Sequence, residues 1–159
     1  MTADRRPPTI RPYGEGDREF LERVAHRIRP GETASPRDPE AMDRFFQQLA
    51  GGPFLTEPGA EAFVATAERG EPLGLIAMHP DNDYFTGHPR AHVDILVVAA
   101  EAEGRGVGRA LMDHAEAWAR QHDCREVVLD VFAGNAGARA FYERCGYQPD
   151  HIRMAKALR

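Results

Sequence analysis

Cysteine is scarce in this 159-residue chain. Cys124 and Cys145 are the only two, and they lack metal-ligand spacing. Reduced thiols in a cytoplasmic protein are therefore expected. Long apolar runs are missing too, and no stretch approaches the ~20 residues that cross a bilayer. The opening Met1-Thr2-Ala3-Asp4-Arg5-Arg6-Pro7-Pro8 has no apolar core of a secretion signal. Positive charge is not in excess either. The formal net charge is −5, which disfavours a general nucleic-acid-binding role. No internal repeat, low-complexity tract or linker divides the chain. What is present is 42% hydrophobic and 28% charged, ordinary for a globular protein. The length fits one domain, residues 1–159, with a substantial core.

Glu103-Gly104-Arg105-Gly106-Val107-Gly108 carries the most information. It follows the apolar run Val93-Asp94-Ile95-Leu96-Val97-Val98 and opens a segment with helical spacing. Glycines let a backbone turn tightly and approach an anion, and the free amides of a first helical turn point at it. A pyrophosphate is expected here. A P-loop needs Lys-Ser or Lys-Thr after its last glycine, and this chain has Arg109-Ala110. A dinucleotide fingerprint needs G-x-G-x-x-G, whereas Gly104, Gly106 and Gly108 alternate. A coenzyme A cradle and a loop that merely caps a helix are the readings left.

Along the chain, residues 8–13 read as a strand. A helix follows, capped by Asp17, with Phe20, Leu21, Val24, Ala25 and Ile28 as its apolar stripe and Pro30-Gly31 as its stop. Ser35-Pro36 and Asp38-Pro39 are two overlapping starts of a second helix. Met42, Phe45, Phe46 and Leu49 form its buried face, and Gly51-Gly52-Pro53 ends it. Residues 62–67 and 73–78 read as a hairpin, 81–90 as a polar loop and 91–100 as the strand feeding the glycines. Residues 109–122 read as a helix, 127–132 as a central strand, Asn135 as a helix start ended by Gly146, and 152–158 as a closing strand. This order gives a mixed sheet with helices on both faces.

Two stretches then resemble a known family. Val98-x7-Gly106-Val107-Gly108-Arg109-Ala110-Leu111-Met112, followed by Asn135-x2-Ala138-x2-Phe141-Tyr142-Glu143-x2-Gly146-Tyr147, looks like the GNAT superfamily of acyl-CoA-dependent N-acyltransferases. The resemblance implies an α/β (mixed α+β) fold in the order β-αα-βββ-α-β-α-ββ, with a mostly antiparallel sheet of six to seven strands. It implies acetyl-CoA as co-substrate, with no metal, and a homodimer as one possible assembly.

The family's cofactor loop is Gln/Arg-x-x-Gly-x-Gly/Ala, and Glu103 departs from it. An acidic side chain beside a pyrophosphate is costly unless it faces solvent. The resemblance assigns the pyrophosphate to the amides from Glu103, Gly104, Arg105, Gly106, Val107, Gly108 and Arg109. Arg105 and Arg109 are either phosphate-facing cations or solvated surface arginines. It implies that the parallel strands at 93–98 and 127–132 splay apart. The pantetheine arm would then pair with backbone groups of Leu96, Val97 and Val98, as an added strand does. Asn135 caps its helix or meets that arm. Tyr142 matches the tyrosine that donates a proton to the departing thiolate, as a neutral phenol can.

On the strand at 91–100, period-two alternation puts His92, Asp94, Leu96 and Val98 on one face. His92 falls where several relatives carry their base, and histidine titrates near neutrality. Asp94 orients His92, binds the ammonium, or acts as base through water. His88 and His92 are four apart with His79 nearby, but Pro89 breaks any helix that would align the first two, so a metal is not expected. Asp81, Asp83 and Asp94, with Tyr84 and Phe85, would form an acidic, partly aromatic rim for a small-molecule or protein amine. Two functions follow: acetyl transfer to a primary amine by direct attack in a ternary complex, or acyl-CoA binding without catalysis.

Overall fold

The computed structural model describes residues 6–28, 36–51 and 55–158. The expected helix stops at Pro30-Gly31 and Gly52-Pro53 lie outside them. Five strands form one sheet: β1 (Thr9–Pro12), β2 (Glu61–Thr66), β3 (Pro72–Asn82), β4 (Pro89–Val98) and β5 (Glu126–Leu129). They lie in sequence order, antiparallel from β1 to β4, with β4 and β5 parallel. The helices are α1 (Arg18–Val24), α2 (Pro39–Gly51), α3 (Val107–Gln121) and α4 (Ala136–Arg144). The mixed, mostly antiparallel sheet holds as expected. The strand count does not: five strands stand among the described residues, not six or seven. Residues 150–158 form no strand, and Ile152, Met154 and Leu158 are exposed. A strand needs a partner for its backbone groups, and this segment meets none.

The main layer is α3 on the sheet. Leu111, Met112, Ala115 and Trp118 are buried with Ile76, Met78 and Val93. Gly74 marks this face: a Cβ there would meet Leu111 and Val107 at 3.0 Å, so only glycine lets helix and strand come this close. The other face takes α1 and the 3-10 turn Ala25–Arg27 that extends it, through Leu21 and Val24. Asp17 does not cap α1 as expected. It is buried, with its carboxylate held by Arg11 and by the Gly14 amide. Of the two possible starts of α2, the chain uses Asp38-Pro39: Asp38 accepts from the Glu40 amide at 3.0 Å. No helix among the described residues is long and apolar enough to cross a membrane.

Candidate active site

One irregularity builds the site. Ala77 pairs with Ile95 but Met78 pairs with Val93, so Asp94 is the extra residue of a bulge in β4. A one-residue shift exchanges the faces of a strand. In register with Gly74 and Ile76, Val98 and Leu96 therefore share the α3 face, and Val98 lies beside Gly108. His92, beyond the bulge, pairs with His79 on the opposite face. The expectation that His92, Asp94, Leu96 and Val98 share one face is thus corrected. The bulge separates the first two from the last two.

On the face away from α3, His79 Nδ1 lies 2.7 Å from Asp94 Oδ2, and His92 Nδ1 lies 3.0 Å from Asp94 Oδ1. The rings sit 5.2 Å apart. His92 Nε2 is 3.4 Å from Asp130 Oδ2, just past the end of β5. With its Nδ1 facing Asp94, the His92 ring presents Nε2 toward Asp130 and the open side of the site. The hydrogen bond to Asp94 raises the proton affinity of His92 above the ordinary histidine value, against the effect of burial. Burial works to raise Asp94, but hydrogen bonds from His92 and His79 hold it below the usual carboxylate range. Sequence reading found His92 and Asp94 and missed Asp130. It noted His79 without placing it, because only the register defines its partner. Among the described residues, these two histidines and Asp94 are also the group whose donor atoms converge, within 4.8 Å. Asp94 thus joins the two rings in a hydrogen-bonded relay that orients them.

The pairing of β5 with β4 ends at Val93–Leu129, next to the bulge. Beyond it β4 runs on to Val98 with no paired strand on that side among the described residues, and the Arg27 side chain reaches the Val98 carbonyl there. At its end the glycine loop turns. Gly104 and Gly106 adopt φ of +71° and +80°, and a Cβ at either would meet nothing within 4 Å. Gly106 is the N-cap of α3, whose first internal bond is Ala110 N to Gly106 O. The amides of Val107, Gly108 and Arg109 thus precede the helical ladder and are available to an anion. An open cradle of this kind suits a pyrophosphate. Gly108 has a different role: a Cβ there would press on Phe141 at 3.1 Å, so it admits α4 against α3.

Glu103 turns away from the loop into an ion pair with Arg27, whose Nε also donates to the Val98 carbonyl at 2.8 Å. Nothing in the sequence alone marked Arg27. Arg109 is engaged with Asp113 at 3.1 Å and with the Arg144 carbonyl at 3.1 Å. Arg105 borders a small cavity with Arg6 and Glu68. Asn135 caps α4, accepting from the Ala138 amide at 3.1 Å. Tyr142 packs edge-on to Phe141 at 5.2 Å, and burial pushes its phenol up to about 12. The expected acidic rim does not form: Arg90 binds Asp81 at 2.8 Å and Asp83 at 3.2 Å. Tyr84 and Phe85 are 89% and 83% exposed and meet each other edge-on at 5.4 Å.

A parallel pair opening at a bulge, a glycine cradle at its end and a helix carrying Tyr142 in its last turn define an acyl-transfer scaffold. The model of the Acetyltransferase (GNAT) family matches residues 21–147, and the chain belongs to that family, whose members act on amines using acetyl-CoA. It is 32% identical over 97 residues to an aminoglycoside N(6')-acetyltransferase type 1 of Stenotrophomonas maltophilia, covering 59% of this chain and 63% of that protein. An aminoalkylphosphonate N-acetyltransferase of Salmonella typhimurium is 32% identical over 89 residues, 56% of this chain and 58% of that one. The chain thus matches less than two thirds of these curated relatives' length. The solved structure of a putative acetyl transferase from Pyrococcus furiosus superposes with a TM-score of 0.75 at 27% identity, over 95% of this chain and 99% of that one.

Proposed function

We propose that the chain transfers an acetyl group from acetyl-CoA to a primary amine by direct attack. The observation that carries this reading is the His79–Asp94–His92 relay, set where β4 and β5 part. Acetyl-CoA supplies an activated thioester carbonyl. The amides of Val107, Gly108 and Arg109 hold the pyrophosphate, and the edge of β4 from Leu96 to Val98 holds the arm once Arg27 yields the Val98 carbonyl. His92 Nε2 takes a proton from the ammonium, with Asp94 fixing the ring and Asp130 attracting the cation. The amine nitrogen bonds to the carbonyl carbon and the carbon–sulfur bond breaks. Tyr142 gives its proton to the sulfur, and the proton shed by nitrogen on bond formation restores the phenol. CoA leaves as the thiol.

Release of CoA thiol in the presence of acetyl-CoA and a panel of primary amines tests this reading. Amine-dependent release that falls in both His92→Gln and Tyr142→Phe supports it. A second reading is acyl-CoA binding without catalysis. It predicts binding of acetyl-CoA with no amine-dependent release.

A further inference from the structure

The acidic rim that would have favoured a polycationic acceptor is neutralised by Arg90, so the selectivity of the amine site must come from elsewhere. Between the start of α2 and the segment after β5 lies an open cleft of about 500 Å³. Met42, Phe45, Phe46 and Phe132 line it, and its polar groups are Arg37 and Asp38. Phe45 is 58% exposed although it belongs to the apolar face of α2, and it meets Phe46 edge-on at 5.3 Å. The Arg37 guanidinium lies 5.7 Å above the Phe132 ring. An aromatic helix face left open toward a further aromatic ring is a surface awaiting apolar cover.

Its position shows what covers it. Phe132 stands two residues beyond Asp130, within a reach of ~7 Å along the chain. Asp130 contacts His92 Nε2, the nitrogen assigned to the ammonium. The β4–β5 register pairs His92 with Val128, so Val128 shares the relay's face of the sheet. The segment after β5 therefore carries an anionic group against His92, Asp130, and, two residues on, an aromatic ring in the cleft, Phe132. That distribution complements a molecule with one cationic end and one apolar body. A sugar would leave its further hydroxyls against phenyl rings, which costs desolvation without return, and a polyamine would bring a further cation beside the Arg37 guanidinium that already lies over Phe132.

Resting on the acetyl-transfer reading, we propose that the acceptor is a primary amine carried on an aryl or branched-alkyl body. Its ammonium lies beside His92 and Asp130 and its apolar part against Phe132, Phe45 and Phe46. A second copy of the chain seated on α2 is the competing occupant.

Calorimetric titration of the full chain, saturated with CoA, with 2-phenylethylamine and with spermidine tests this. The expected result is at least tenfold tighter binding of 2-phenylethylamine. Phe132→Ala should weaken that binding about tenfold and change spermidine binding less than twofold. Phe85→Ala, at a ring far more exposed, should change neither. Retained stabilisation by acetyl-CoA shows that the Phe132 variant is folded, and Phe45→Ser, at an exposed position, is the second variant. Equal or tighter binding of spermidine overturns the proposal. So does a dimer that Phe45→Ser converts to monomers while 2-phenylethylamine fails to bind. Turnover separates this inference from the reading beneath it. CoA release with spermidine alone leaves acetyl transfer standing and overturns the apolar acceptor. Tight 2-phenylethylamine binding without CoA release supports the cleft and overturns acetyl transfer.

Discussion

Arg27 and Glu103 are ion-paired across the mouth of the glycine loop, 76 positions apart in the chain, and the same guanidinium holds the Val98 carbonyl. The pair accounts for an acidic residue in the glycine loop: its charge is answered locally by Arg27. Arg27→Met leaves Glu103 uncompensated near an anion and should weaken acetyl-CoA binding about tenfold. Glu103→Gln releases Arg27 as a free cation and should strengthen binding about threefold, in line with the modest worth of a largely exposed pair. Calorimetry with acetyl-CoA reads both. Weaker binding in the Gln variant would show that Glu103 is not a liability.

His92 must be neutral to accept a proton, and its hydrogen bond to Asp94 raises its proton affinity. The rising limb of kcat/KM against pH should therefore lie above ~6.5, the ordinary histidine value. Asp94→Asn removes the cause, so the limb should move to lower pH while the plateau drops. His92→Gln should lower kcat/KM by about 10²–10⁴ and abolish the limb. The profiles are taken with one amine throughout, so that its own titration cancels. An unmoved limb in Asp94→Asn would assign the titration to another group.

The local signals were legible in the sequence. The alternation in β4, the glycine turn and the Asn135 cap all arose from neighbours within a few positions, and all stand in the structure. The site itself was half legible. His92 and Asp94 could be picked by residue type, but the bulge at Asp94 could not. Period-two alternation runs undisturbed through the burial of Ala91, Val93, Ile95 and Val97. Only pairing with β3 shows that the faces exchange. His79, Asp130 and Arg27 were out of reach for the same reason, since each acts through a strand or turn distant in sequence. The closing strand failed differently: 152–158 has the alternation of a strand but does not pair, although β5 ends the sheet with an open edge among the described residues.

Tyr142 has a phenol raised to about 12 by burial, so it stays protonated across the working range. Tyr142→Phe keeps the ring and its contact with Phe141 and removes only the proton. The expected outcome is a fall in kcat of about 10²-fold with acetyl-CoA affinity nearly unchanged. A Phe variant as fast as the parent removes Tyr142 from the chemistry.

Gly106 sits at φ +80°, so any side chain there strains the backbone before a ligand arrives. Gly106→Ala should destabilise the fold by about 1–2 kcal/mol, measured by urea unfolding without ligand. A loss of acetyl-CoA affinity in such a variant then mixes strain with steric exclusion. Gly104→Ala, with similar strain and similar open space, serves as the comparison. If the pyrophosphate lies on the amides of α3, the Gly106 variant should lose more affinity than the Gly104 variant for the same loss of stability.

Asp17 anchors the element that carries Arg27. Arg11 binds it through two bonds of 2.7 Å and the Gly14 amide adds a third at 2.9 Å, tying β1 to the start of α1. The Arg11 hydrogen bonds hold its carboxyl below the usual range, opposed by burial. A depressed carboxyl gives stability that is present above its unfolded pKa, ~3.9, and is lost as pH falls through the folded value. Asp17→Asn should therefore cost about 1.5–3 kcal/mol at neutral pH, the worth of hydrogen bonds to a charged group. Parent and variant should converge in urea unfolding as the pH is taken below ~4. Because α1 runs directly into the turn bearing Arg27, the variant should also lose part of the Arg27–Glu103 contact. Its acetyl-CoA affinity should then shift in the direction of Arg27→Met, by a smaller factor. Full affinity with reduced stability would show that Arg27 is positioned by Val98 alone.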